Sequence, residues 1–137
     1  MSELIVAVLI FVISQFTLKL LIEPFIEFKK VISEISYQTL LNQSNIISSP
    51  LSNKELAQTF KHLSASLIKA VDSIIGYRIL RLISFFSLPK YKDIREASKE
   101  LNLIYYSLHT GEKNVIEIND SLKKISKYLK ISTSYSH

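Results

Sequence analysis

The feature that most constrains this chain is an apolar run near its start. Residues 4–16 are apolar except for Ser14 and Gln15, and residues 17–22 extend the run across Lys19. A helix rises about 1.5 Å per residue and the hydrocarbon core of a bilayer is about 30 Å thick, so the run is long enough to cross a membrane. The sequence therefore predicts a transmembrane helix over residues 1–22.

The helical pattern continues past the run into a polar segment. Apolar residues from Phe25 to Leu41 share one face, while charged residues such as Glu27 and Lys30 occupy the other, which predicts a juxtamembrane helix over residues 23–45. Pro24 lacks the amide that would bond to the carbonyl of Leu20. We therefore expect a kink at Pro24 that acts as a hinge.

The charges beside the run predict its orientation. No basic residue precedes it, unlike in a secretory signal peptide, whereas Lys19, Lys29 and Lys30 lie at its C-terminal end. Because segments rich in Lys and Arg stay in the cytoplasm, we expect the N-terminus outside and the rest of the chain inside, at a bacterial inner membrane.

Residues 46–137 are predicted to form a cytoplasmic helical domain. The chain holds two Gly, three Pro and no Cys, which favours helices and excludes disulfides and Cys-bound metals. After a linker to about Leu51, helices are expected near 52–75, 79–88, 91–108 and 115–130, with a stop at Gly111 and a frayed tail from Ser132. Apolar residues at steps of three and four are predicted to face a common core: Leu56, Phe60, Leu63, Leu67, Val71, Ile74, Ile94, Ala97, Leu101, Ile104, Tyr105, Leu108, Ile118, Leu122, Ile125 and Leu129. The predicted fold class is all-α, an N-terminal transmembrane helix continuing into a cytoplasmic helical bundle.

The sequence contains no pattern typical of catalysis. The two Gly are isolated, so no Gly-rich phosphate loop is formed, and His62, His109 and His137 lack the spacing of metal ligands. Carboxylates one helical turn apart, such as Glu96 and Glu100, are expected on solvated helix faces. We therefore predict neither an enzyme nor a bound metal or cofactor.

Polar residues of the apolar run form the first candidate site. Gln15, Lys19 and Glu23 are four residues apart and lie on one side of the helix, with Ser14 beside them. Polar groups are costly in lipid and usually face a partner helix, which predicts contacts through these four residues in a homo-oligomer. Alternatively, Lys19 reaches the lipid headgroups and Glu23 forms ordinary ion pairs in water.

An association of several copies suggests an ion pore. Gln15 and Lys19 would ring a narrow passage, and Ile5, Val8 and Val12 would form an apolar collar above it. Such a collar gates by dewetting.

Basic and aromatic residues interleave later in the chain and form the second candidate site. Its predicted ligand-binding members are Tyr77, Arg78, Arg81, Lys90, Lys92 and Arg95. Three interpretations stay open: a site for a single-stranded oligonucleotide or nucleotide, a helix resting on anionic lipid, or aromatic residues that simply fill the core. The net charge of +5 suits either anionic partner.

Residues 16–37 resemble a group of small bacterial membrane proteins. The shared elements are Ile22-Glu23-Pro24 after the membrane helix, the basic pair Lys29-Lys30, and Ile32-Ser33-Glu34-Ile35 before a helical cytoplasmic domain. In its layout the chain also resembles the membrane effectors of bacterial anti-phage systems, including the Hailong effector, a channel-forming protein held inactive by an oligonucleotide from a partner nucleotidyltransferase. This resemblance implies a self-associating, pore-forming effector of antiviral defence. The alternative is a non-conducting membrane anchor or scaffold whose helical domain binds a partner protein.

Overall fold

The structure, a computed structural model, describes residues 2–43, 46, 54–74, 88–111 and 115–133. In these residues the protein is all-α, with a long apolar N-terminal helix followed by a helical bundle, so the predicted fold class is confirmed. The elements are α1 (Ser2–Thr17), a π-helical turn (Leu18–Ile22), α2 (Glu23–Leu41), α3 (Lys54–Asp72), α4 (Tyr91–Thr110) and α5 (Val115–Leu129).

The first three elements form one continuous helix, Ser2–Leu41, of 40 residues. Its N-terminal part is long and apolar enough to span a membrane, as the apolar run predicts. None of the α1 residues is buried, and side chains such as Leu4, Ile10 and Phe11 are more than half exposed. This helix therefore presents an apolar surface that the bundle does not cover.

The C-terminal part of the long helix, α2, belongs to the bundle. Phe28, Ile32 and Ile35 of α2 are buried in the same core as residues of α3, α4 and α5. The buried face is narrower than the sequence predicts, because α2 lies at the edge of the bundle and packs chiefly on α3. Ile26 and Leu41, predicted on that face, are exposed.

The apolar stripes of the other helices lie where the sequence places them. All the residues predicted to face the core from α3, α4 and α5 are buried except Tyr105, which is partly buried against it. Gly111 ends α4 with φ 76°, and its N–H donates to the carbonyl of Ser107 at 3.0 Å. This left-handed conformation is the one that Gly adopts without steric cost.

Segments between and after the helices add to the core in ways the helical pattern does not predict. Ile46, within the predicted linker, is fully buried, and Leu88 is buried just before α4. The helix predicted over 79–88 is wrong at its end, since Leu88 is not helical, and its other residues lie outside the described ones. The predicted fraying is wrong for Ser132 and Thr133: Ser36 Oγ donates to the Ser132 carbonyl at 2.6 Å, and the buried Thr133 donates to the carbonyl of Leu122 at 2.8 Å.

Candidate functional site

Two polar side chains of the apolar helix, Ser14 and Gln15, differ in whether they form hydrogen bonds within the chain. The Ser14 hydroxyl donates to the carbonyl of Ile10 at 2.7 Å, so its donor is bonded within its own helix. The Gln15 side chain is exposed and makes no hydrogen bond with any other described residue. Gln15 is therefore better suited than Ser14 to bond to a second molecule within a membrane.

A wide helical turn precedes the predicted hinge. Residues Leu18–Ile22 are π-helical, and the N–H of Glu23 donates to the carbonyl of Leu18, five residues back, rather than to that of Lys19. Pro24 follows directly and has no N–H to donate. Single π turns of this kind are frequent at functional sites and among the recognised causes of helix bending.

Beside this turn, and extending past it along α2, the long helix and α3 form a groove of about 420 Å³. Lys19, Glu23 and Glu27 line one wall, one helical turn apart, as their spacing predicts. Lys69 and Ser66 of α3 line the other. Two of the four residues predicted to contact a partner helix thus border a groove within a single chain.

The charges around this groove are balanced in sign. Glu27 pairs with Lys30 at 3.3 Å, and both side chains are largely exposed. Lys19, Glu23 and Lys69 form no ion pair with any other residue in the described ranges. Their charged groups are therefore available to a ligand that carries both signs of charge.

The predicted basic and aromatic site is only partly described. Tyr77, Arg78 and Arg81 lie outside the described residues, while Lys90, Lys92 and Arg95 lie at the start of α4 and are all exposed. The Arg95 guanidinium donates to the Tyr91 hydroxyl at 3.1 Å, and this bond raises the pKa of Arg95 above its usual value. The Tyr91 hydroxyl in turn donates to Asp72 of α3 at 2.8 Å. The Arg95 guanidinium thus bonds to a residue of its own helix, one turn back. Oligonucleotide binding at this site stays a prediction.

A second groove, of about 350 Å³, lies between α4 and α5. Glu100 lines it and is buried, contrary to the solvated position predicted for it, because α5 covers that face of α4. One of its oxygens lies 3.7 Å from Lys124 Nζ, while Oε2 has no hydrogen-bond partner in the described part of the chain. Among the described residues no three His, Cys, Asp or Glu side chains lie together as metal ligands would.

The sequence pattern does not predict the α3 wall of the first groove. Ser66, Lys69 and Ser73 recur at steps of three and four, so they form a polar stripe beside the buried one. That spacing identifies a shared face, but which element this face meets depends on how the helices pack.

Comparison of the chain with protein families, curated proteins and solved structures finds no match.

Proposed function

We propose that the protein is a single-span membrane protein that self-associates through the Gln15 side of its apolar helix, with α2–α5 forming a domain at the membrane surface. The observation that carries this proposal is that α1 buries none of its residues. Each Å² of apolar surface left in water costs about 25 cal/mol, whereas lipid covers the same surface favourably. A helix also satisfies its own backbone groups, as a membrane requires.

Gln15 supports the self-association. Its amide carries both a donor and an acceptor, so two copies of the helix can bond to each other at this position. Interhelical hydrogen bonds in membranes contribute roughly 0.6–1.5 kcal/mol each. We therefore expect Gln15→Leu to weaken self-association about threefold to tenfold.

Sedimentation equilibrium in detergent micelles tests this expectation. Ser14→Ala is the matched control, because the Ser14 hydroxyl is bonded within its own helix and its loss removes no group offered to a partner. An association constant that is unchanged in Gln15→Leu would contradict the proposal. A parallel flotation assay with liposomes tests membrane insertion separately.

An ion pore is the second candidate function. It is supported by a surface groove of about 410 Å³ in which Gln15 and Lys19 lie next to the apolar Phe11, Val12 and Phe16. Facing copies of this surface would place polar groups below an apolar constriction. Liposomes containing the protein should then show an ion flux above that of empty liposomes, and Gln15→Leu should reduce it. Equal flux from protein-containing and empty liposomes assigns the non-conducting anchor instead.

A further inference from the structure

The groove between the long helix and α3 has the chemistry of a lipid headgroup site. We propose that Lys19, Glu23, Glu27 and Lys69 bind the headgroup of a phospholipid that carries both a phosphate and a primary amine, the phosphatidylethanolamine class. This inference rests on the proposed insertion of α1 into the membrane.

The first argument is the position of the groove along the helix. The apolar run ends at Ile22, and the groove extends from Lys19 to Val31 on either side of that end. One step of four residues along a helix covers about 6 Å. The headgroup layer is roughly 5–7 Å thick on each side of the hydrocarbon core. At about 1.5 Å per residue, Glu23 and Glu27 lie roughly 1.5 and 7.5 Å beyond Ile22, so these two carboxylates bracket the layer. The long aliphatic stem of Lys19 allows its ammonium group to reach that layer from within the apolar run.

The second argument is the balance of charge. The groove is lined by two ammonium groups, on Lys19 and Lys69, and by two carboxylates, on Glu23 and Glu27. A lysine donates charge-assisted hydrogen bonds to phosphate oxygens, and a carboxylate accepts them from a primary ammonium. Because Glu27 is already paired with Lys30 at 3.3 Å, Glu23 is the main acceptor for the lipid amine.

This charge pattern discriminates between headgroups. A phosphatidylglycerol headgroup has no cation, so it would leave Glu23 unpaired beside an anion. A phosphatidylcholine headgroup has a cation without N–H donors, so it cannot donate a hydrogen bond to the carboxylate. A headgroup that donates no hydrogen bond to the Glu23 carboxylate loses one charge-assisted interaction, and we expect a preference for phosphatidylethanolamine of about tenfold over both other lipids.

The size and surroundings of the groove agree with this ligand. Its volume, about 420 Å³, lies within the roughly 300–1,000 Å³ common for small-molecule sites. Pro24, Val31 and Ala70 supply an apolar lining between the charged groups. Above the groove, the exposed side chains of Phe16 and Leu20 offer a surface for the acyl chains.

Native mass spectrometry of the full-length protein, with an equimolar mixture of the three phospholipids, tests the proposal. Wild-type protein should retain phosphatidylethanolamine about tenfold more than the other two. Lys69→Ala should reduce its retention about tenfold, and Glu23→Gln should remove its advantage over phosphatidylglycerol. Lys54→Ala on α3 and Glu34→Gln on α2 remove the same charges away from the groove and should leave retention unchanged. All four side chains are exposed, so circular dichroism should show an unaltered helix content.

The outcomes separate this inference from the proposed function. If the protein floats with liposomes yet retains the three lipids equally, the proposed headgroup site is wrong, while the proposed insertion of α1 into the membrane is supported. If it does not float, the insertion is wrong and the lipid site falls with it. If free phosphoethanolamine displaces the lipid at equal concentration, the groove serves a soluble ligand and the lipid assignment is overturned.

Discussion

Lys130 adopts a backbone conformation that is costly for a residue with a side chain. Its φ is 57°, in the left-handed region, at the end of α5. The N–H of Ile131 donates to the carbonyl of Ser126 at 3.1 Å, which closes the helix as a Schellman motif does. The turn brings Thr133 back to bond to Leu122, so the docking of the tail holds Lys130 in place.

Replacing Lys130 by Gly should therefore stabilise the protein. We expect the free energy of unfolding to rise by roughly 0.5–1 kcal/mol, because Gly reaches positive φ without the clash of a Cβ and only part of that gain is lost to its freer unfolded chain. Urea unfolding in micelles, followed by circular dichroism, measures the change. Lys127→Gly is the matched control within α5 and should instead lower stability by about 1 kcal/mol. A decrease in stability for Lys130→Gly would contradict the explanation.

At the scale of elements, α3 and α4 meet across a pair of buried serines. The Ser64 and Ser98 hydroxyl oxygens lie 2.7 Å apart, and Ser64 Oγ also lies 2.9 Å from the Ser98 carbonyl. Both residues are buried, and their small side chains let the two helices approach closely. Lys61 of α3 lies over the ring of Tyr105 of α4 at 5.3 Å, at the more exposed side of the same contact.

A double-mutant cycle measures the serine pair. Ser64→Ala alone should destabilise the protein by about 1 kcal/mol, since it removes a hydroxyl that bonds to Ser98 in the core. The double variant with Ser98→Ala should cost less than the sum of the single variants by roughly 0.5 kcal/mol or more, because the partner is no longer left unpaired. Ser73→Ala is the control, since its hydroxyl bonds to the Lys69 carbonyl one turn back on an exposed face. Strictly additive single variants would argue against a coupled pair.

The elements that the sequence predicts well are those defined by a repeating pattern. Buried residues of α3, α4 and α5 follow from period 3.6 because each helix turns one stripe toward the core. Ile46, Leu88 and Thr133 lie outside such a stripe, and their burial depends on where the chain passes over the packed helices. The candidate groove is predictable only in part for the same reason. The four-residue spacing of Lys19 and Glu23 predicts that they share one face of the helix. That Lys69 of α3 lines the opposite wall depends on how the two helices pack.

At the scale of the whole molecule, the π turn sets how α1 is oriented on the bundle. Glu23 N–H bonds to Leu18 five residues back, so residues 18–22 advance less around the axis than α-helical residues would. α2 is fixed in the bundle through Phe28 and Ile32, whereas α1 buries nothing. A change in this turn should therefore rotate the Gln15 surface relative to α2 without disturbing the core.

Pro24→Ala should convert the π turn into an α-helical one. The substitution restores a backbone N–H at position 24 that can bond to the carbonyl of Leu20, and the change rotates α1 by roughly a quarter of a turn. A side chain about 5 Å from the helix axis then moves by on the order of 7 Å. The chain has no Cys, so spin labels can be attached at Ile13→Cys and Lys54→Cys alone. Pulsed electron paramagnetic resonance then measures the distance between the two labels, which changes when α1 rotates. Ile26→Ala is the matched control. It lies about half a turn beyond Pro24 and leaves the backbone N–H groups as they are, so the distance between the labels should not change. An identical distance with and without Pro24→Ala would show that Pro24 does not maintain the π turn.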